Sequence, residues 1–91
     1  MKLIRTTKFT RQSSKIIKNN KQLKDKLYDT LVKLTINPFE SALFTHKLKG
    51  DLEGCYAARV TYDFRIIFKF VKEDGEDCIL LLAAGSHDEV Y

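Results

Sequence analysis

Apolar residues recur every three or four positions in the first part of the chain and every second position from Cys55 onward. Phe9, Ser13, Ile16 and Ile17 share one face of a helix, with Lys8, Arg11, Lys15 and Lys18 largely off it. Thr7 can cap that helix, and Asn19-Asn20 breaks it. Leu23, Leu27, Leu31 and Leu34 form the stripe of a second helix from about Lys21 to Ile36. Asn37-Pro38 stops it, because the residue before proline is pushed out of the helical region. A short strand over Lys2 to Thr6, carrying Leu3 and Ile4, precedes both helices, and residues Phe39 to Glu53 read as a connecting loop. Three strands follow at Cys55–Val60, Phe64–Val71 and Cys78–Ala84, with turns at Thr61–Asp63 and Glu73-Asp74-Gly75. The pattern predicts a small α+β fold, β-α-α-β-β-β, a single domain over residues 1–91. A helix hairpin packs on one face of a largely antiparallel sheet.

Alternation assigns the two faces of that sheet. Tyr56, Ala58 and Val60 share a side, and so do Ile66, Phe68 and Phe70; these apolar sets suit the helix-facing surface. Arg59 and Arg65 then fall on the open face, near the turn that holds Asp63. The fourth strand runs back beside the third, so a regular meander brings His87 and Tyr91, in Gly85-Ser86-His87-Asp88-Glu89-Val90-Tyr91, toward the same edge. Arginine stabilises phosphoryl oxygens through its fork of donors, and imidazole exchanges protons near neutral pH. Together they are parts for cleaving a phosphodiester without a metal. The structural alternative is that the arginines pair with carboxylates such as Asp88 or Glu89. Ile79 to Leu82 are apolar on both sides, yet the helices can cover only one face. Either the open face curls on itself or a partner lies on it.

Composition sharpens this picture in one respect. The net charge of +4 is an average: residues 1–50 carry twelve Lys/Arg against three acids, and residues 51–91 carry four against nine. The basic half is either a solvated helix pair or a surface that faces a polyanion. Cys55 and Cys78 lack CxxC or His-Cys spacing, and strands flanking a third hold them roughly 10 Å apart. That exceeds disulfide reach, so they read as reduced core residues, with no metal site and no cofactor implied. The N-terminal residues lack the long apolar stretch of a signal peptide or membrane span, which points to a cytoplasmic protein without membrane contact.

The element order, the loop segment His46-Lys47-Leu48-Lys49-Gly50, the strand Asp63-Phe64-Arg65-Ile66-Ile67-Phe68 and the segment 85–91 together resemble the RelE/ParE toxin superfamily. The resemblance covers essentially the whole chain and is nearest to the RelE and YafQ-like branches of type II toxin–antitoxin systems. It implies a ribosome-dependent endoribonuclease, an mRNA interferase, that cleaves mRNA in the 30S A site by attack of the 2′-hydroxyl on the adjacent phosphate. It also implies a cognate antitoxin, expected on the apolar open face. Position by position, His87 matches a catalytic histidine and is the expected proton donor. Asp63 and His46 match the other acid and imidazole positions of the YafQ-like branch, as base or orienter. Arg65 matches the arginine on the scissile phosphate, and Arg59 stands where relatives hold lysine or histidine. Tyr91 matches the aromatic that orients the nucleotide, and Lys47 and Lys49 are expected on RNA backbone. Ala57 departs from the pattern, standing where RelE-like members can carry a basic residue. A ParE-like reading, inhibition of DNA gyrase by binding alone, is the alternative; His87 and Tyr91 with Arg65 favour the nuclease.

Overall fold

The computed structural model describes residues 1–90, with the side chains of His87 and Glu89 outside the description. Strand β1 (Lys2–Arg5) leads into helix α1 (Thr7–Ile17). The cap is Thr6 rather than Thr7: its Oγ1 accepts the Phe9 N–H at 3.1 Å and donates to the Leu81 carbonyl at 2.8 Å. One hydroxyl thus both starts the helix and ties it to the sheet. Asn19, at φ 57°, turns the chain, and the Asn20 side chain accepts the Leu23 N–H to cap α2 (Lys21–Ile36). Asparagine suits such a left-handed position because its short polar side chain bonds locally. Leu27, Thr30 and Leu34 are buried, and Leu23 and Leu31 pack partly exposed beside them.

The segment expected to be a plain loop holds structure of its own. A 3-10 turn at Ser41–Leu43 buries Leu43, and β2 (His46–Lys47) pairs antiparallel with β3 (Tyr56–Arg59). Two residues carry no readable periodicity, so a strand of this length is invisible in sequence. Strands β4 (Phe64–Glu73) and β5 (Glu76–Ser86) complete a sheet of order β1-β5-β4-β3-β2, antiparallel throughout except for β1 on β5. The β4–β5 hairpin closes over Asp74-Gly75, at φ 51° and 81°. Positive φ at both positions gives the turn whose twist matches the strands.

The meander is not regular. Ile67 pairs with Ala83 and Phe68 with Leu81, so Leu82 is an extra residue, a β-bulge. Before it Ile79 and Leu81 face the helices; after it the parity flips and Ala84 joins them. The Ala84 N–H at this irregularity is taken by the Gln12 side chain of α1 at 2.9 Å. The helix-facing core gathers Phe9, Leu27, Leu34, Leu43, Ile66, Phe68, Ile79 and Leu81, all nearly or fully buried. Ala57, Ile67 and Ala83 form a smaller cluster on the other side, with Leu48, Cys55, Leu82 and Val90 against it. Val90 belongs to α3 (His87–Val90), one helical turn where sequence suggested only an ordered tail. The open face is therefore partly covered by the chain's own residues. Cys55 and Cys78 are free thiols. Among the described residues no helix is long and apolar enough to cross a membrane.

Candidate active site

Two rungs of the open face hold three of the expected site residues, Arg59, Arg65 and His46. On one, Arg59 of β3 faces Arg65 of β4, which faces Gly85 of β5. On the next, His46 of β2 faces Ala57, which lies opposite Ile67 and then Ala83. The bulge decides the composition of the first rung. With unbroken alternation Gly85 would share the helix-facing parity of Ile79 and Leu81; the extra Leu82 moves it opposite Arg65. Residue 87 follows two positions later, as α3 begins.

Directly opposed residues in neighbouring strands have Cα atoms roughly 4.5–5.5 Å apart. Two guanidiniums on such a pair repel each other, and like charges placed opposite are destabilising. Among the described residues the ion pairs are Lys2–Glu73 and Lys72–Asp77, both exposed, and neither involves these arginines. Arg65 is only 9% exposed. Its Nε and Nη2 both donate to the Tyr62 carbonyl, at 3.0 and 2.8 Å. That fixes the plane of the guanidinium and leaves further N–H donors for an anion.

Arg59 is held differently. Its guanidinium carbon lies 4.0 Å from the centroid of the Phe44 ring and 5.7 Å from that of Tyr62. Its Nε is buried without a hydrogen-bond partner. Leaving a charged donor unmet costs on the order of 1–3 kcal/mol or more. His46 is exposed, and its Nδ1 lies 3.1 Å from the Phe44 carbonyl, so Nδ1 is the donor and Nε2 carries the lone pair in the neutral ring.

The remaining expected residues lie elsewhere. Asp63 is exposed on the turn before β4 and lines a hollow of about 310 Å³ with Ile16, Leu23, Phe64 and Ser86, toward the helix hairpin. Lys47 and Lys49 are exposed at the β2 edge and line a cavity of about 360 Å³ with Glu53, Gly54 and Tyr56. Alternation separates them from His46 and Leu48, which face the Ala57 side. The backbone of His87 opens α3, its side chain lies outside the description, and Tyr91 lies outside the described residues. Among the described residues no three His, Cys, Asp or Glu side chains converge as metal ligands.

Sequence reading missed Phe44 and Tyr62. Their signal was present as aromatic residues interleaved with basic ones, Phe44 two before His46 and Tyr62 three before Arg65. Only the tertiary contact shows that both rings address Arg59.

A family model described as bacterial toxin of type II toxin–antitoxin system, YafQ, matches residues 1–91. No curated protein matches the chain. Among solved structures, a YoeB/ParE toxin from Agrobacterium tumefaciens superposes with TM-score 0.80 at 21% identity, covering 96% of this chain and 99% of that one. YafQ from E. coli strain BL21(DE3) gives 0.78 at 18%, covering 98% and 96%. A YoeB-YefM complex from Staphylococcus aureus gives 0.74 at 20%, covering 96% and 97%. These likenesses show the same small α+β fold, helices packed on a five-stranded sheet. With the match to the family model running from the first residue to the last, the chain belongs to the YafQ family of toxins of bacterial type II toxin–antitoxin systems.

Proposed function

We propose that the chain is a ribosome-dependent endoribonuclease that cuts mRNA in the 30S A site through side-chain chemistry, without a metal. The observation that carries this reading is the Arg59–Arg65 rung: two opposed guanidiniums with no carboxylate pair among the described residues, one with an orphaned buried donor. Such a pair is complementary to the spread negative charge of a phosphorane-like transition state. Arg65, pinned through Tyr62, keeps N–H donors for the non-bridging oxygens. Arg59 supplies its unmet Nε–H to the same group or its neighbour.

In this mechanism the 2′-hydroxyl attacks the adjacent phosphorus and the bond to the 5′ oxygen breaks. The products are a 2′,3′-cyclic phosphate and a 5′-hydroxyl. The 2′-hydroxyl proton goes to a base, with His46 through Nε2 or Asp63 in that role. His87 protonates the leaving oxygen. Tyr91 orients the nucleotide, and Lys47 and Lys49 hold RNA backbone beside β2. A cognate antitoxin is the protein partner, which the YoeB-YefM complex from Staphylococcus aureus supports, and its seat is the open face, where its carboxylates neutralise the arginines.

The test is induction of wild type and His87→Ala in a bacterial host, with mRNA 5′ ends mapped by primer extension and ribosome-free controls. New in-frame cuts in translated messages, absent with the variant, are the expected result. Growth arrest without cuts would move the reading to gyrase inhibition. Full cutting by a soluble His87→Ala protein would remove His87 from the chemistry.

A further inference from the structure

Phe44 and Tyr62 share exposure with Tyr28 and Phe39 but differ from them in their contacts with Arg59 and with other candidate site residues. Both rings are largely exposed, 57% and 78%, and both lie against the Arg59 guanidinium. Each residue is also tied through its backbone carbonyl to another candidate site residue: Phe44 to His46 Nδ1, Tyr62 to Arg65 Nε and Nη2. The Phe44 backbone sits at φ 48°, a left-handed conformation that an aromatic residue rarely adopts. It is held there by buried Leu43 on one side and by the bond from its N–H to the Ser41 carbonyl. Two exposed rings are thus fixed beside an arginine that has a buried, unmet donor.

We infer that Phe44 and Tyr62, together with the Arg59 guanidinium they flank, form a stacking platform for an unpaired nucleobase, with Arg59 Nε reserved for the phosphate attached to it. This rests on the reading of the site as one that handles single-stranded RNA, and it adds the two residues that grip a base. The physical grounds are general. A guanidinium beside exposed rings is a favourable cation–π arrangement, and the exposed ring surface is available to a flat ligand. Base faces stack on aromatic rings and guanidinium planes alike, and such stacking is tolerant of sequence. A phosphate alone explains the orphaned Nε but not the exposed rings. A base alone explains the rings but not the Nε. A nucleotide explains both.

The experiment uses the purified chain and two probes without a 2′-hydroxyl, so that neither can be cleaved. One is a single-stranded trideoxynucleotide; the other is the same chain with an abasic sugar at its centre. Dissociation constants are read from amide shifts at one fixed salt concentration, because backbone binding varies with salt. The base-bearing probe is expected to bind about tenfold more tightly than the abasic one. Phe44→Leu and Tyr62→Leu keep apolar bulk but lose the π face. Each should cut that ratio of affinities by at least about threefold, whatever it does to abasic affinity, and Phe44→Tyr should keep it. Equal affinity of wild type for both probes would overturn the inference, as would no measurable binding of the base-bearing probe. Leucine variants that keep the full preference would overturn it too. A wild-type protein that prefers the base-bearing probe yet cuts no message would remove the nuclease reading and leave the platform standing.

Discussion

Replacing Arg65 with methionine keeps the unbranched stem and deletes the guanidinium, which separates a structural role from a chemical one. The structural loss is the pair of bonds to the Tyr62 carbonyl at 3.0 and 2.8 Å. A hydrogen bond with a charged donor contributes about 1.5–3 kcal/mol, but these two share one acceptor on an exposed residue that water can reach. Against the loss stand relief of a buried cation and of its repulsion with Arg59. The net destabilisation is about 1–2 kcal/mol, a fall in Tm of roughly 4–15 °C for a chain of this size. Even from a modest starting stability of about 5 kcal/mol, some 3 kcal/mol remain, so about 99% of the variant is folded at 25 °C. Unfolding alone would therefore lower cleavage by only a few per cent. Loss of transition-state charge stabilisation lowers it by about 100-fold or more. The assay is cleavage of a defined message on purified programmed ribosomes, alongside a circular-dichroism melt of the same preparation. A folded Arg65→Met protein that cuts within threefold of wild type would refute the assignment of Arg65 to the phosphate.

Four further outcomes are expected. Phe68→Ala, in the fully buried centre of the helix-facing core, should cost about 3–5 kcal/mol in a denaturant titration; a loss under 1 kcal/mol would mean the core repacks. Gln12→Ala strands the Ala84 N–H at the bulge and should cost about 1–3 kcal/mol, with loss of hydrogen-exchange protection at Ala84 before the rest of β5. Gly75→Val places a branched side chain at φ 81° and should destabilise the hairpin by at least about 1 kcal/mol without reducing cleavage per folded molecule, since the Arg59–Arg65 rung lies at the other end of the strands. Glu73 raises the Lys2 pKa, and Asp77 does the same for Lys72. Raised lysine values favour the fold below the ordinary lysine range and lose that effect only as pH rises through the folded value. Both pairs are exposed, so Lys72→Met should leave the thermal midpoint at pH 7 essentially unchanged.

What was legible in the sequence is what depends on near neighbours. The stripe through Leu27 and Leu34 and the alternation from Phe64 to Phe70 are local periodicities, and burial follows them. Asp74-Gly75 announced its hairpin because positive φ at both positions restricts the residue types that fit. The bulge was hidden because Ile79 to Ala84 is apolar without a break, so no polar residue marks where parity changes. The cap was misplaced by one residue because Thr6 and Thr7 carry the same hydroxyl, and only the distance to Leu81 separates them. The Arg59–Arg65 opposition could be read from the turn between their strands. The rings over Arg59 could not, since Phe44 reaches it from a loop fifteen residues earlier.

The parallel pairing of β1 with β5 bears on the order in which the molecule can assemble. Among the described residues β1 comes first in chain order and its partner β5 is the last strand of the sheet; the Thr6–Leu81 bond joins positions 75 residues apart. Until residues 76–86 exist, β1 has no neighbour, α1 lacks the strand it is tied to through Thr6 and Gln12, and Arg65 has no Gly85 opposite it. Closing so long a loop is slow compared with forming helices or hairpins. A nascent chain therefore carries both arginines from residue 65 until β5 has been made without the rung being complete. Topology alone thus makes the rung one of the last parts of the sheet to be assembled, after both strands that carry its arginines.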